Sequence, residues 1–300
     1  MLNTFINLIP VILIFIFGFV LRKINFFKKE DGDFFLKIVF YLAAPALILL
    51  SVTKIQLQAN LIVLPVVPFL VFIIMYFVAK YVGKYFNLPR QTLGAFLVGV
   101  LIVNLGFMIP FVLAAFHEGG IARLTLMDFG NGILTFTLIY LIACKYGDKA
   151  GSSKVLAKKI FFSVPIWALL VGIIMNLCGI KFSGAAENFL QMFANLTSPF
   201  IMLALGIYFT PKIILPKAAF AGIAIRMVGG FLLGFIIVKI FGIEGFNRLI
   251  ILSGCAAPIG YNTLTFSSME NLDKEFAAGM ISYSVLAGMI LMPILLYILQ

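Results

Sequence analysis

The sequence predicts an all-α membrane protein of ten transmembrane helices, built as two five-helix halves, and three observations carry that expectation. Of 300 residues 63% are hydrophobic and 11% charged, with a mean hydropathy of +1.16, too little polar surface to cover a water-soluble globule. The apolar residues form continuous runs of about 20 rather than alternating stretches of about ten, which selects helices over barrel strands. Proline, glycine and asparagine interrupt several runs near mid-span, at related places in the two halves.

Taken in order, span 1 (residues 4–21) contains Pro10 and Gly18. No basic residue precedes it and no small-residue cleavage pattern follows, so it reads as a retained span rather than a signal peptide. Span 2 (34–52) holds Leu42-Ala43-Ala44-Pro45, and span 3 (61–82) is a long apolar run. Span 4 (92–116) carries the first strong break, Asn104-Leu105-Gly106-Phe107-Met108-Ile109-Pro110. A proline there removes a hydrogen-bond donor and collides with the carbonyl one turn back, which a membrane tolerates only where the freed backbone is buried in protein or faces a cavity. Span 5 (121–144) holds Asp128 and Asn131. Span 6 (160–177) repeats the proline and glycine of span 1 as Pro165 and Gly172, and span 7 (189–208) repeats span 2 as Leu196-Thr197-Ser198-Pro199. Span 8 (218–240) places Arg226 near mid-depth. Span 9 (248–269) carries the second break, running from Gly254 through Pro258 and Gly260 to Tyr261 and Asn262, and span 10 (276–299) ends the chain.

The longest polar connection, 145–159, separates a first repeat (1–144) from a second (160–300). Five spans per half force the second half to insert upside down, so the matched prolines describe an inverted repeat. Sixteen Lys and Arg residues fall on one side of this topology, five on the other and Arg226 inside a span. The richer side is expected to be cytoplasmic, which puts both termini outside the cell membrane in a multi-pass arrangement. The net charge of +11 therefore reports topology rather than nucleic-acid binding. Cys144, Cys178 and Cys255 lack metal-site or disulfide spacing. No nucleophile elbow, P-loop, HExxH or soluble nucleotide domain is present, so neither an enzyme, a cofactor nor ATP-driven transport is expected.

The breaks are the candidate binding site. Asn104, Gly106 and Pro110 in one, and Pro258, Gly260, Tyr261 and Asn262 in the other, would expose backbone groups, an amide and half-helix ends in mid-membrane. Facing helix N-termini favour an anion such as a carboxylate. Arg226 either contacts that carboxylate through a two-bond fork or serves as the charge partner of Asp128. Asp128 is a carboxylate inside a span, so it either couples protons or acts as a structural anchor to Asn131. Pro45 and Pro199 read as features that shape a wall, and His117 beside Glu118 as a solvated connection.

The Asn-x-Gly-Phe-x-x-Pro stretch at 104–110, the Met127-Asp128-Phe129-Gly130-Asn131 segment with Leu134-Thr135-Phe136-Thr137, and the Ala-Ala-Pro break at Pro258 resemble the auxin efflux carrier family, in order and along essentially the whole chain. The resemblance implies two crossed, broken helices, here spans 4 and 9. They would lie in a mobile transport domain of spans 3–5 and 8–10, set against a scaffold of spans 1, 2, 6 and 7 that tends to dimerise. The long cytoplasmic loop of many plant members is absent, as in a compact prokaryotic form. The implied activity is secondary transport of a small organic anion, malate-like or auxin-like, by an elevator or rocking movement, with or without proton coupling through Asp128. A sodium-coupled symporter of the related bile-acid type and a ligand sensor that does not translocate are the alternatives.

Overall fold

The computed structural model describes residues 2–147, 164–209 and 212–299. Among them every regular element is helical, and the β contact is an isolated antiparallel bridge between Val103 and Ile259. The described helices are α1 (Leu2–Lys23), α2 (Lys29–Ile38), α3 (Ala44–Lys54), α4 (Val63–Tyr85), α5 (Arg90–Leu101), α6 (Leu105–Leu134), α7 (Tyr140–Tyr146), α8 (Val164–Leu177), α9 (Gly184–Ala194), α10 (Thr197–Tyr208), α11 (Pro216–Ala224), α12 (Gly230–Ile240), α13 (Gly245–Cys255), α14 (Asn262–Met269) and α15 (Lys274–Leu299). The connection expected at 145–159 and the start of span 6 lie largely outside the described residues.

Among the described residues six helical stretches are each long and apolar enough to cross a bilayer: Lys29–Lys54, Ala59–Tyr85, Leu105–Tyr146, Gly184–Tyr208, Pro216–Ile240 and Lys274–Leu299. The longest has 42 residues, about 60 Å of helix and twice a hydrocarbon core of about 30 Å. It cannot be one straight span. His117 departs from helical geometry within it, at φ 53° and ψ −153°. A Cβ added to Gly120 would lie 2.7 Å from Val112 Cγ1, although eight residues of straight helix would separate them by about 12 Å. The chain therefore doubles back at His117, which is exposed, as a solvated connection requires.

Among the described residues three stretches shift to the wider π register: Val39–Ala43, Thr135–Ile139 and Ile225–Gly229. The first lies directly before Pro45, whose missing N–H would interrupt the ordinary ladder, and it lets α2 run into α3 without a break. In a membrane, helices approach through small residues, because lipid supplies no hydrophobic drive between them. Gly206 meets this need between α10 and α1, where a Cβ would sit 2.1 Å from Phe15 O. Gly130 does so between α6 and α4, where a Cβ would be 2.0 Å from Pro65 O. Large apolar side chains such as Phe17, Phe77, Ile174, Leu232 and Ile290 point outward, while Phe96, Phe107, Phe111, Phe266 and Phe276 fill the interior.

Two packing groups result. Helices α1, α2, α3, α8, α9 and α10 contact one another closely, and so do α4, α5, α7 and α11 to α15. Helix α6 belongs with the second group through α4 and α13, and it also touches α1, α3 and α10 of the first.

Candidate functional site

The two helix breaks face each other. The stretch expected as span 4 is interrupted between α5 and α6 at Ile102, Val103 and Asn104, and the one expected as span 9 between α13 and α14 over residues 256–261. The first opening begins earlier than the 104–110 expected from the sequence: Gly106 and Pro110 lie inside α6. The second contains Pro258 and Gly260 as expected, with Tyr261 capping α14 and Asn262 opening it.

The opened backbone is satisfied almost group by group, as a low-dielectric interior demands. Asn104 N–H donates to Pro258 O at 2.9 Å, and Gly260 N–H donates to Ile102 O at 3.0 Å. The Asn104 side chain accepts from Phe107 N–H at 3.0 Å, capping α6, and its amide donates to Ile259 O at 3.4 Å. The Asn131 amide donates to Val103 O at 3.2 Å, and Ile259 N–H donates to Ser284 Oγ at 3.1 Å. Asn104 is thus both the cap of one half-helix and the clasp between the breaks. Ser284 in α15 carried no signal of this role, since a serine in an apolar helix ordinarily bonds its own backbone, as its hydroxyl also does to Ile281 O at 2.9 Å.

Behind the crossing lies Arg226, 1% exposed. Nη1 donates to Val100 O at 3.2 Å and Nη2 to Cys255 O at 2.9 Å. These carbonyls belong to the last turns of α5 and α13, the two half-helices that end at the crossing. One guanidinium therefore caps two helix C-termini, where the helix dipoles place partial negative charge. Gly230 permits this approach, since a Cβ there would lie 2.1 Å from Cys255 O. Of the two roles open for Arg226, pairing with Asp128 is not what the structure holds: Asp128 Oδ1 accepts from the Asn131 amide at 3.0 Å, the anchor that is the other reading of Asp128. Because the same amide reaches Val103 O, Asn131 links Asp128 to the opened backbone. Arg226, Asn131, Val103 and Cys255 share a small cavity of about 10 Å³, room for about one water molecule.

Of the residues expected to bind a ligand, Asn104, Pro110, Pro258, Gly260 and Arg226 are buried, while Gly106, Tyr261 and Asn262 are half-buried; Asp128, read as proton-coupling or structural, is exposed and its partner Asn131 buried. Tyr261 reaches a much larger cavity, about 340 Å³, within the range of small-molecule sites. One wall comes from α2 and α10, with Lys29, Asp33 and Tyr208; the other comes from α14 and α15, with Tyr261, Thr265 and Ser282. The Tyr208 hydroxyl donates to the Asp33 carboxylate, and the Tyr208 and Tyr261 rings lie 5.8 Å apart at 42°, one from each wall. Sequence reasoning missed Lys29, Asp33 and Tyr208. Charged residues at the start of a span read as solvated ends, and only the packing of α2 against α10 turns them toward a cavity.

A family model described as membrane transport protein matches residues 3–298. The chain is also 26% identical over 282 residues to a protein described as an uncharacterized transporter of Methanocaldococcus jannaschii, covering 90% of this chain and 91% of the relative. It is 22% identical over 293 residues to an uncharacterized transporter of Methanothermobacter thermautotrophicus, covering 96% of each.

Proposed function

The chain belongs to the membrane transport protein family, and from that premise we propose that it is a secondary transporter of small organic anions such as carboxylates, with alternating access by an elevator-type movement in a ten-span inverted repeat. The observation that carries this reading is the pair of clasped helix breaks beside a cavity of about 340 Å³ whose walls come from two different packing groups. In the proposal, α4 to α7 and α11 to α15 move as a transport domain, while α1 to α3 and α8 to α10 form the scaffold. Substrate docks at the crossing from the cavity, against Tyr261, Asn262 and the amide of Asn104. The N-terminal ends of α6 and α14 favour a carboxylate. Arg226 adds positive potential from behind the crossing, because its fork is already occupied by helix ends.

Two features support this division. The cavity opens beside Lys29, on the Lys- and Arg-rich side, which the positive-inside rule makes cytoplasmic. At the opposite end Lys54 bonds Glu118, at the bend beside His117, and Glu187 in α9, each at 2.9 Å. That bridge joins the proposed moving and fixed parts and has to open when they slide.

The test is electrical: purified protein in liposomes on a solid-supported membrane, challenged with mono- and dicarboxylates under imposed pH and sodium gradients. A saturable, substrate-dependent current supports translocation, and its response to each gradient separates potential-driven from coupled transport. Saturable binding with neither current nor isotope uptake would replace the proposal with the sensor reading.

A further inference from the structure

A second polar feature lies away from the crossing and the cavity, at the far end of α14. Glu270, immediately after this helix, is 1% exposed. Its Oε1 accepts from the Tyr140 hydroxyl at 2.5 Å, while Oε2 has no hydrogen-bond partner. Three and seven residues earlier, on the same helical face, the buried hydroxyls of Ser267 and Thr263 are also without partners, as is Thr135 Oγ1 in the stretch leading to Tyr140. Unpartnered buried oxygens thus recur along one face of α14, from Thr263 beside Gly99 of α5 to Ser267 and, against Tyr140, Glu270.

A buried carboxylate without a countercharge costs several kcal/mol. The charged and titratable neighbours do not supply one. Arg90 turns its Nη2 to the carbonyls of Lys145 (3.0 Å) and Gly147 (3.4 Å), the latter residue packed against the Glu270 backbone, and makes no ion pair with Glu270. Asp273 brings a second carboxyl group rather than a cation, held by Thr92 Oγ1 at 2.8 Å and Phe276 N–H at 3.0 Å. Cys144 lies one turn beyond Tyr140, and Lys274 opens α15. No ion pair involves Glu270 among the described residues.

We infer that Glu270 and Ser267, with the Tyr140 hydroxyl on the same carboxylate, form a binding site for a small monovalent cation, a proton or a sodium ion, separate from the substrate cavity. The donor set suits this class: one carboxylate among neutral hydroxyl oxygens matches a single positive charge. A divalent ion asks for more anionic ligands, and no group of three His, Cys, Asp or Glu residues converges among the described residues. Because α14 starts at one helix break and ends at Glu270, occupancy of the site bears on the geometry of the crossing. That coupling role rests on the transport reading; the site itself does not.

The experiment uses the full chain in nanodiscs without substrate. In one arm, unfolding temperature is followed as sodium chloride replaces choline chloride at constant pH and ionic strength. In the other, infrared spectra at neutral pH are inspected for the carbonyl band of a protonated carboxyl group. Either a sodium-dependent rise in unfolding temperature or a protonated-carboxyl band, present in the wild type and lost in Glu270→Gln, supports the site and identifies its occupant. A wild type with neither signal, or a signal that survives Glu270→Gln, overturns it. Should Glu270→Gln fail to fold, Ser267→Ala and Tyr140→Phe decide. A shift of roughly three- to tenfold in the sodium midpoint, the worth of one hydrogen bond, or a displaced carboxyl band supports the site, and unchanged signals overturn it. Substrate-evoked current is measured separately, so loss of this inference leaves the transport reading standing.

Discussion

Arg226 holds the C-terminal ends of α5 and α13 together, and replacing it should unfasten the crossing in measurable steps. Hydrogen bonds to a charged group contribute about 1.5–3 kcal/mol each. The guanidinium makes one to Val100 O and one to Cys255 O while 1% exposed. Lysine keeps the charge but has no planar fork, so Arg226→Lys should lose one bond, about 1.5–3 kcal/mol. Arg226→Met removes both and leaves two buried carbonyls unpaired, about 3–6 kcal/mol, less the relief of no longer burying a charge. At about 2–4 °C per kcal/mol for a chain of this size class, the lysine variant should melt roughly 3–12 °C below wild type. Thermal unfolding of the three proteins in the same detergent measures the order wild type, lysine, methionine. A methionine variant as stable as wild type would refute the reasoning, because the helix ends would then need no cap. If that variant also lost anionic ligands selectively, Arg226 would be a ligand contact instead. Gly230→Ala probes the same contact without removing the guanidinium: its Cβ would lie 2.4 Å from Arg226 Nη2, so it should destabilise too.

Asn104→Ala removes the α6 cap and the amide that reaches Ile259 O; it should cost about 1 kcal/mol in stability and abolish substrate-evoked current with normal membrane insertion, and wild-type current would take the crossing out of the site. Lys54→Gln breaks two partly exposed ion pairs, so its stability loss should stay near 0.2–1 kcal/mol per pair, while a cysteine pair placed across the Lys54–Glu118 contact should crosslink less in that background. Equal crosslinking in both backgrounds would mean the bridge does not hold the two parts together. Gly206→Val places branched carbon where a Cβ already meets Phe15 O at 2.1 Å, so α1 and α10 must separate and the folded yield should fall sharply; unchanged yield and melting would show that this contact is not tight.

What was legible from residues alone is instructive at the two breaks. Pro258 and Gly260 announced the second opening correctly, because a missing N–H and a missing Cβ act on the chain locally. The first opening lies at Ile102, Val103 and Asn104, where two apolar β-branched residues carry no breaker signal. They are extended because their backbone pairs with Pro258 and Gly260 more than 150 residues away. Pro110, the louder signal, sits within α6, where the carbonyl that its ring crowds belongs to Gly106.

Composition, run length and the placement of Pro, Gly and Asn determined by themselves that this is a helical membrane protein, roughly where its helices lie and that the stretches around residues 104 and 258 break. Those are properties of a short window of chain in contact with lipid, and any window reports them. Only tertiary structure decided that Arg226 caps two helix ends rather than pairing with Asp128, that Lys29, Asp33 and Tyr208 wall a cavity with Tyr261, and that Glu270 is buried with one oxygen unpaired. In a bilayer interior a polar group must find its partner within the protein. That partner is chosen by which helices pack side by side, a relation between distant segments that no local pattern encodes.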